Sequence, residues 1–146
     1  MANKFNFDRV IANLERVKND VPKLLANETK NYFVKESFNK QEWNGVKWKD
    51  VKRRDKEGSS SNNSAILVQS GKLRRAVVNS LQSATFNKIH FEVKDVPYAQ
   101  VHNEGLRAGR GAGFQMPKRQ FMGQTKKLSE IQRAVIDKAI NKIWQA

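Results

Sequence analysis

Apolar residues recur at helical spacing in the first part of the chain. One stripe with i, i+3, i+4 spacing predicts a helix over residues 5–18. The stripe consists of Val10, Ile11, Leu14 and Val17. Pro22 interrupts the pattern, because proline lacks a backbone donor and is harmless only in a first helical turn. Two interpretations remain open: a second helix capped by Asp20 and running to about Phe38, or one helix kinked at Pro22.

The hydrophobic period changes to that of a strand after Ala65. Ile66-Leu67-Val68 is interpreted as a short strand or turn, and the runs 73–81 and 88–94 as strands joined by a hairpin-sized connection. In the second run, apolar and polar residues alternate, which predicts a strand with one buried face. The apolar members are Ile89, Phe91 and Val93.

Helical signals return toward the end of the chain. Pro97 opens a short helix that Gly105 closes, and a final helix is predicted over 129–145, with Ser129 and Gln132 as a capping box. The order of helices, strands and helices predicts an α+β fold in a single domain, 1–146. We expect N-terminal helices and a C-terminal helix packed on a small antiparallel sheet, with long basic loops.

The charge of the chain is strongly positive. It has 28 basic and 14 acidic residues among 146, a net charge of +14. Residues 49–64, a charged run followed by a Gly/Ser/Asn tract, predict a flexible basic loop.

Residues 105–127 carry six basic side chains and no acidic one. A solvated loop is one interpretation, and a surface facing DNA or an acidic partner is the other. Candidate polyanion-facing residues are Arg107, Arg110, Lys118 and Arg119.

The sequence contains no complete catalytic motif. The chain has no cysteine, which excludes disulfides, thiol nucleophiles and cysteine-ligated metals. Glu92-Val93-Lys94 fits half of a magnesium-dependent nuclease core, but no acidic residue lies between Glu57 and Glu92 to complete it. His102 beside Glu104, or His90 paired with His102, is better explained as structural or solvated. We therefore expect no catalytic residue, metal or cofactor, and no apolar run of membrane-spanning length occurs.

Two tryptophans flank a turn, in Trp43-Asn44-Gly45-Val46-Lys47-Trp48. They could stack nucleic-acid bases, but no regular aromatic and basic interleaving surrounds them. We expect Trp43 and Trp48 to anchor the core or a subunit interface.

Four short motifs follow one another in the order typical of a known family. They are Gly45-Val-Lys-Trp48, Ile66-Leu-Val-Gln-Ser-Gly-Lys-Leu73, Tyr98-Ala-Gln-Val-His-Asn-Glu-Gly105 and Met116-Pro-Lys-Arg-Gln-Phe-Met-Gly123. Together with the flanking helices, they make the chain resemble the phage virion morphogenesis family of Mu-type tail-completion proteins over about residues 5–146. Phe121, in the last motif, is expected to join the tryptophans in packing or at an interface.

The resemblance implies a structural virion protein rather than an enzyme. It implies a tail-completion, tail-terminator or neck subunit that forms a homo-oligomeric ring, expected to be a hexamer, at the head–tail junction. Its partners would be the tail tube, head-connector or neck proteins, and DNA in the lumen through non-specific contacts, with no membrane. The protein would be assembled in the host cytoplasm and reside in the virion. The alternative is a stand-alone basic nucleic-acid-binding protein or small nuclease.

Overall fold

The computed structural model describes residues 5–52 and 65–145. Within these residues the α helices are α1 (Phe7–Phe33), α2 (Lys72–Val78), α3 (Ala99–Glu104) and α4 (Lys126–Trp144). The strands are β1 (Glu42–Trp43), β2 (Val46–Lys47), β3 (Leu81–Ala84), β4 (Ile89–Phe91), β5 (Arg107–Ala108) and β6 (Phe114–Gln115). The α+β prediction is confirmed. The strands form three separate antiparallel pairs, β1–β2, β3–β4 and β5–β6, rather than one small sheet.

Helix α1 is continuous, and Pro22 lies inside it. The interpretation as two helices is therefore wrong, and the single helix of the other interpretation is observed; its kink at Pro22 stays a prediction. An internal proline costs a helix about 3 kcal/mol, and burial of Pro22 together with packing of α1 on α4 offsets that cost. At 1.5 Å per residue, the helix is about 40 Å long. The helical path continues as a π-helical turn, Val34–Asn39.

The turn between the two tryptophans is a tight hairpin. Asn44 and Gly45 both have positive φ, 50° and 80°, as a two-residue type I′ turn requires. This turn reverses the chain so that Trp43 and Trp48 both point into the core.

Residues 72–78 are helical, which corrects the prediction of a strand over 73–81. Leu73 and Val77 are buried and four residues apart, so they share one face of a helical turn. The strand begins only at Leu81, where β3 pairs with β4. The alternation predicted around β4 is confirmed, because Phe91 is half-buried while its neighbours His90 and Glu92 are exposed.

Helix α4 begins earlier than predicted. Its cap is Thr125, whose Oγ1 accepts a hydrogen bond from the backbone N–H of Leu128 at 3.1 Å. The predicted cap, Ser129, lies inside the helix and donates to the Thr125 carbonyl. The short helix between Pro97 and Gly105 is confirmed as α3, with Gly105 in the left-handed conformation at its C-terminus.

Helices α1 and α4 run antiparallel. Near one end, Asn13 Nδ2 donates to the Ile143 carbonyl, and near the other the hydroxyls of Tyr32 and Thr125 lie 2.7 Å apart. The main core lies beside the second of these ends, where aromatic residues from α1, the π-helical turn and the β1–β2 region meet α2 and Phe121. The N-terminal half of α1 extends away from this core. Residues 53–64 of the basic loop predicted over 49–64 lie outside the described residues.

Candidate interaction surfaces

The last two sequence motifs meet in the structure. Asn103 Oδ1, at the end of α3, accepts hydrogen bonds from the backbone N–H groups of Phe121 (2.9 Å) and Met122 (3.1 Å). The backbone N–H of Arg119 donates to the His102 carbonyl at 2.8 Å. One polar side chain and one backbone bond therefore fix the segment 116–123 against α3.

Gly105 is required at this junction. Its φ is +69°, and a Cβ built there would lie 2.8 Å from the Cβ of Lys118. Only glycine allows the two motifs to approach this closely without displacing backbone.

Three aromatic residues singled out in the sequence lie in the core. Trp43 packs near Tyr32 and Phe33, while Trp48 and Phe121 both pack against Phe38. The Trp48 indole N–H also donates to the Gln120 carbonyl at 2.9 Å. Trp43 and Trp48 are each 7% exposed and Phe121 is 2% exposed, so none of them offers a ring to a nucleic-acid base.

Arg119 is buried, unlike the three other basic residues proposed from the sequence. Its Nε donates to the Lys49 carbonyl at 2.8 Å, and one terminal nitrogen donates to the Asp50 carbonyl at 3.0 Å. A guanidinium held in this way ties residues 49 and 50 to the last motif instead of facing a polyanion. The sequence contained no signal for this difference, because burial depends on the distant segment that covers the side chain.

The remaining candidates form an exposed basic surface on the β5–β6 hairpin and the segment after it. Arg107 lies on β5, Arg110 in the connecting turn, and Lys118 just beyond β6, and all three are exposed. No acidic side chain within residues 5–52 and 65–145 forms an ion pair with any of them. Their charge is therefore available to an external polyanion.

The β5–β6 hairpin has two chemically different faces. Arg107 pairs with Gln115, and Ala108 pairs with Phe114. Because cross-strand partners share a face, the first pair is polar and the second is apolar. Leu106, two residues before Ala108, lies on the same side as Ala108, and the Leu106 carbonyl accepts from Met116 N–H at 3.1 Å. We call the side with Leu106 and Phe114 the apolar hairpin face.

An apolar groove lies between α1, α4 and the turn of the β3–β4 hairpin, with a volume of about 670 Å³. Its apolar lining includes Leu14, Val21, Leu25, Phe86, Ile136 and Ile140. Leu14, Phe86, Ile136 and Ile140 are also substantially exposed. Sequence analysis missed this groove because the helical stripe around Leu14 is the pattern of an ordinary core-facing helix.

One buried carboxylate connects the π-helical turn to α4. Glu36 accepts hydrogen bonds from Lys40 Nζ (2.8 and 2.9 Å) and from Lys127 Nζ (2.9 Å). The hydrogen bond from Lys40 is the largest cause that lowers the pKa of Glu36, and Lys127 lowers it further against the opposing effect of burial. Lys127 thus differs from the exposed hairpin cations, since it already has Glu36 as a partner.

The residues considered for catalysis lie in different surroundings in the structure. Glu92 and Lys94 are exposed just after β4, with 3.7 Å between Oε2 of Glu92 and Nζ of Lys94. His102 is half-buried with an unpartnered Nδ1, and burial, aided by Arg119, lowers its pKa. His90 is exposed on β4. Within the described parts of the chain, no cluster of three or more metal-ligating residues is present.

The described residues therefore combine an aromatic core with an exposed basic hairpin and an open apolar groove. The model of the phage virion morphogenesis family matches residues 6–141, nearly the whole chain, and the protein belongs to that family. The resemblance inferred from the four motifs is thus confirmed. No curated protein and no solved structure matches the chain.

Family membership supports a role in building the phage particle and an association with the virion. It favours a structural protein over an enzyme. Among the helices of residues 5–52 and 65–145, none has the length and hydropathy needed to cross a membrane.

Proposed function

We propose that this protein is a subunit of a tail-completion, tail-terminator or neck ring at the phage head–tail junction. The cations Arg107, Arg110 and Lys118, which are exposed and have no ion pair among the described residues, carry this proposal together with the family match. A ring that surrounds DNA needs phosphate contacts but no reading of bases, and exposed Arg and Lys side chains supply such contacts.

The proposed partners follow from this position. Copies of the chain form a closed ring, a hexamer in our proposal, which contacts the tail tube on one side and the head-connector or neck proteins on the other. DNA in the lumen, or an acidic neighbouring subunit, faces the basic hairpin. The subunit is assembled in the host cytoplasm and remains in the tail or neck of the virion.

Charge reversal on the hairpin tests the proposal in the phage. The double variant Arg107→Glu/Arg110→Glu should reduce head–tail joining or DNA retention while the purified protein keeps its helical circular-dichroism spectrum. A matched control, Arg16→Glu/Lys23→Glu, makes the same change of four charges on exposed positions of α1. The hairpin defect should vary with ionic strength, because the Debye length is only about 10 Å at 0.1 M salt.

Each outcome is informative. Normal joining and ejection with both hairpin charges reversed would refute a functional basic hairpin. Equal defects in the hairpin and control variants would assign the effect to net charge. If a purified monomer bound DNA with steep salt dependence and the protein were missing from virions, the stand-alone nucleic-acid-binding alternative would replace the ring.

A further inference from the structure

Further exposed apolar side chains extend the apolar groove along α1 and α4. On α1, Phe7 and Ile11 precede Leu14 at helical spacing, and all three are more than half exposed. On α4, Trp144 follows Ile140 by four residues and is 65% exposed. Because α1 and α4 are antiparallel, these extensions lie at the same end of the helix pair.

The exposed apolar area of this surface is large for a free subunit. With about 200 Å² for a fully exposed large side chain, the groove and its extensions present roughly 800 Å² of apolar surface. The largest apolar patch on a typical monomer is about 300–600 Å², whereas one side of a standard protein interface buries about 800 Å². The exposed apolar area therefore exceeds the largest patch of a typical monomer, as expected of a surface that another subunit covers.

A second exposed apolar surface lies elsewhere on the same chain. On the apolar hairpin face, Phe114 is 56% exposed and Leu106 is 39% exposed. Arg107 lies on the opposite side of the same two strands, so the apolar hairpin face can be buried without burying that charge. The groove is chemically suited to such an occupant, because most of its described lining is apolar: Lys88 is the charged residue in that lining, and Lys18 Nζ lies 6.0 Å from the centroid of the Phe86 ring.

We propose that the apolar groove of one copy binds the apolar hairpin face of the next copy. This inference rests on the proposed function, in which copies form a ring. The two surfaces are different, so the contact is head-to-tail: each copy offers a groove to one neighbour and a hairpin to the other. Head-to-tail contacts generate a closed ring when the rotation between subunits closes.

The contact also explains the two faces of the hairpin. Its apolar side is buried against the neighbouring copy, and its polar side, with Arg107, remains exposed. The same hairpin then joins adjacent copies and presents the basic surface that the proposed function requires.

Single-cysteine variants test the contact directly, because the natural chain contains no cysteine. Ile140→Cys marks the groove and Phe114→Cys marks the hairpin, and both positions are exposed enough to tolerate the change. A short bis-maleimide cross-linker is added to each variant alone and to a mixture of the two. We expect cross-linked dimers in the mixture, little product from either variant alone, and a ladder of oligomers from the double variant.

Val46→Cys provides the matched control. Val46 is 71% exposed on the β1–β2 hairpin, outside both proposed surfaces, so its mixture with Ile140→Cys should give little product. In parallel, Ile140→Glu should weaken self-association of the otherwise unmodified chain by at least ~10-fold, measured by mass photometry.

The outcomes separate this inference from the proposed function. Cross-linking of Ile140→Cys alone would show groove meeting groove and overturn the head-to-tail contact. A mixture without product, or an unmodified chain that stays monomeric, would also overturn it. The phage assay with Arg107→Glu/Arg110→Glu tests the basic hairpin separately, so failure of the groove–hairpin contact and failure of the proposed function give different results.

Discussion

The junction between α3 and the segment 116–123 makes a quantitative prediction at Asn103. Replacing Asn103 with alanine removes the one side-chain oxygen that accepts from the N–H groups of Phe121 and Met122. The perturbation is confined to hydrogen bonding, because Asn103 is half-buried and not part of the hydrophobic cluster.

The magnitude follows from the two donors that lose their acceptor. A buried donor without a partner costs about 1–3 kcal/mol. Phe121 is 2% exposed, so water reaches its N–H poorly, while the half-buried Met122 is more accessible. We expect Asn103→Ala to lower the free energy of unfolding by about 2–4 kcal/mol, the full cost at Phe121 and part of it at Met122.

Urea denaturation followed by tryptophan fluorescence measures this difference, since Trp48 donates to the neighbouring Gln120 carbonyl. Asn103→Asp is the matched control, because a carboxylate oxygen can accept both bonds, and it should lose no more than about 1 kcal/mol. If Asn103→Ala were as stable as Asn103→Asp, the two hydrogen bonds would not hold the junction together and the reasoning would be refuted.

Three further predictions concern the core, a glycine and a carboxylate. Trp48→Ala should lower the free energy of unfolding by roughly 3–5 kcal/mol, and Trp48→Phe should lower it much less. If both variants were as stable as the unmodified protein, Trp48 would not stabilise the core. Gly105→Ala should destabilise more than Gly45→Ala in the same urea assay, because both have positive φ but a Cβ at Gly45 meets no atom within 4 Å. The hydrogen bonds from Lys40 and Lys127 lower the pKa of Glu36 in the folded protein. The stabilisation that ionised Glu36 provides should therefore be fully present above the ordinary pKa of 4.5, and it should disappear as the pH falls through the folded-state pKa. The stability difference between the unmodified protein and Glu36→Gln should therefore shrink on acidification, and a difference independent of pH would exclude this linkage.

Local patterns predicted the parts of the fold that depend on neighbouring residues. The turn at Asn44-Gly45, the short helix between Pro97 and Gly105, and the alternation in β4 were all visible in the sequence. Each is determined by backbone conformational preferences or by a period of two, which operate within a few residues. The four motifs also predicted the family, but not that three of them meet in the structure, through contacts at Trp48, Asn103 and Gly105.

The predicted secondary structure was wrong where contacts with distant residues, rather than the local pattern, determined the conformation. The apolar run at 73–81 fits either period, and burial of Leu73 and Val77 on one side selected the helix. Pro22 predicted a break, but packing along α4 kept α1 continuous.

The sequence by itself determined the α+β class, the basic segment 105–127 and the family, because these depend on composition, short-range spacing and motif order. Only the tertiary structure decided which basic side chains are exposed: Arg119 is covered by the chain at Lys49 and Asp50, whereas Arg107 and Arg110 remain accessible. It also decided that the stripe around Leu14 lines an open groove, since the length of α1 carries that stripe beyond the core. Burial is a property of what a distant segment covers, and local sequence does not specify it.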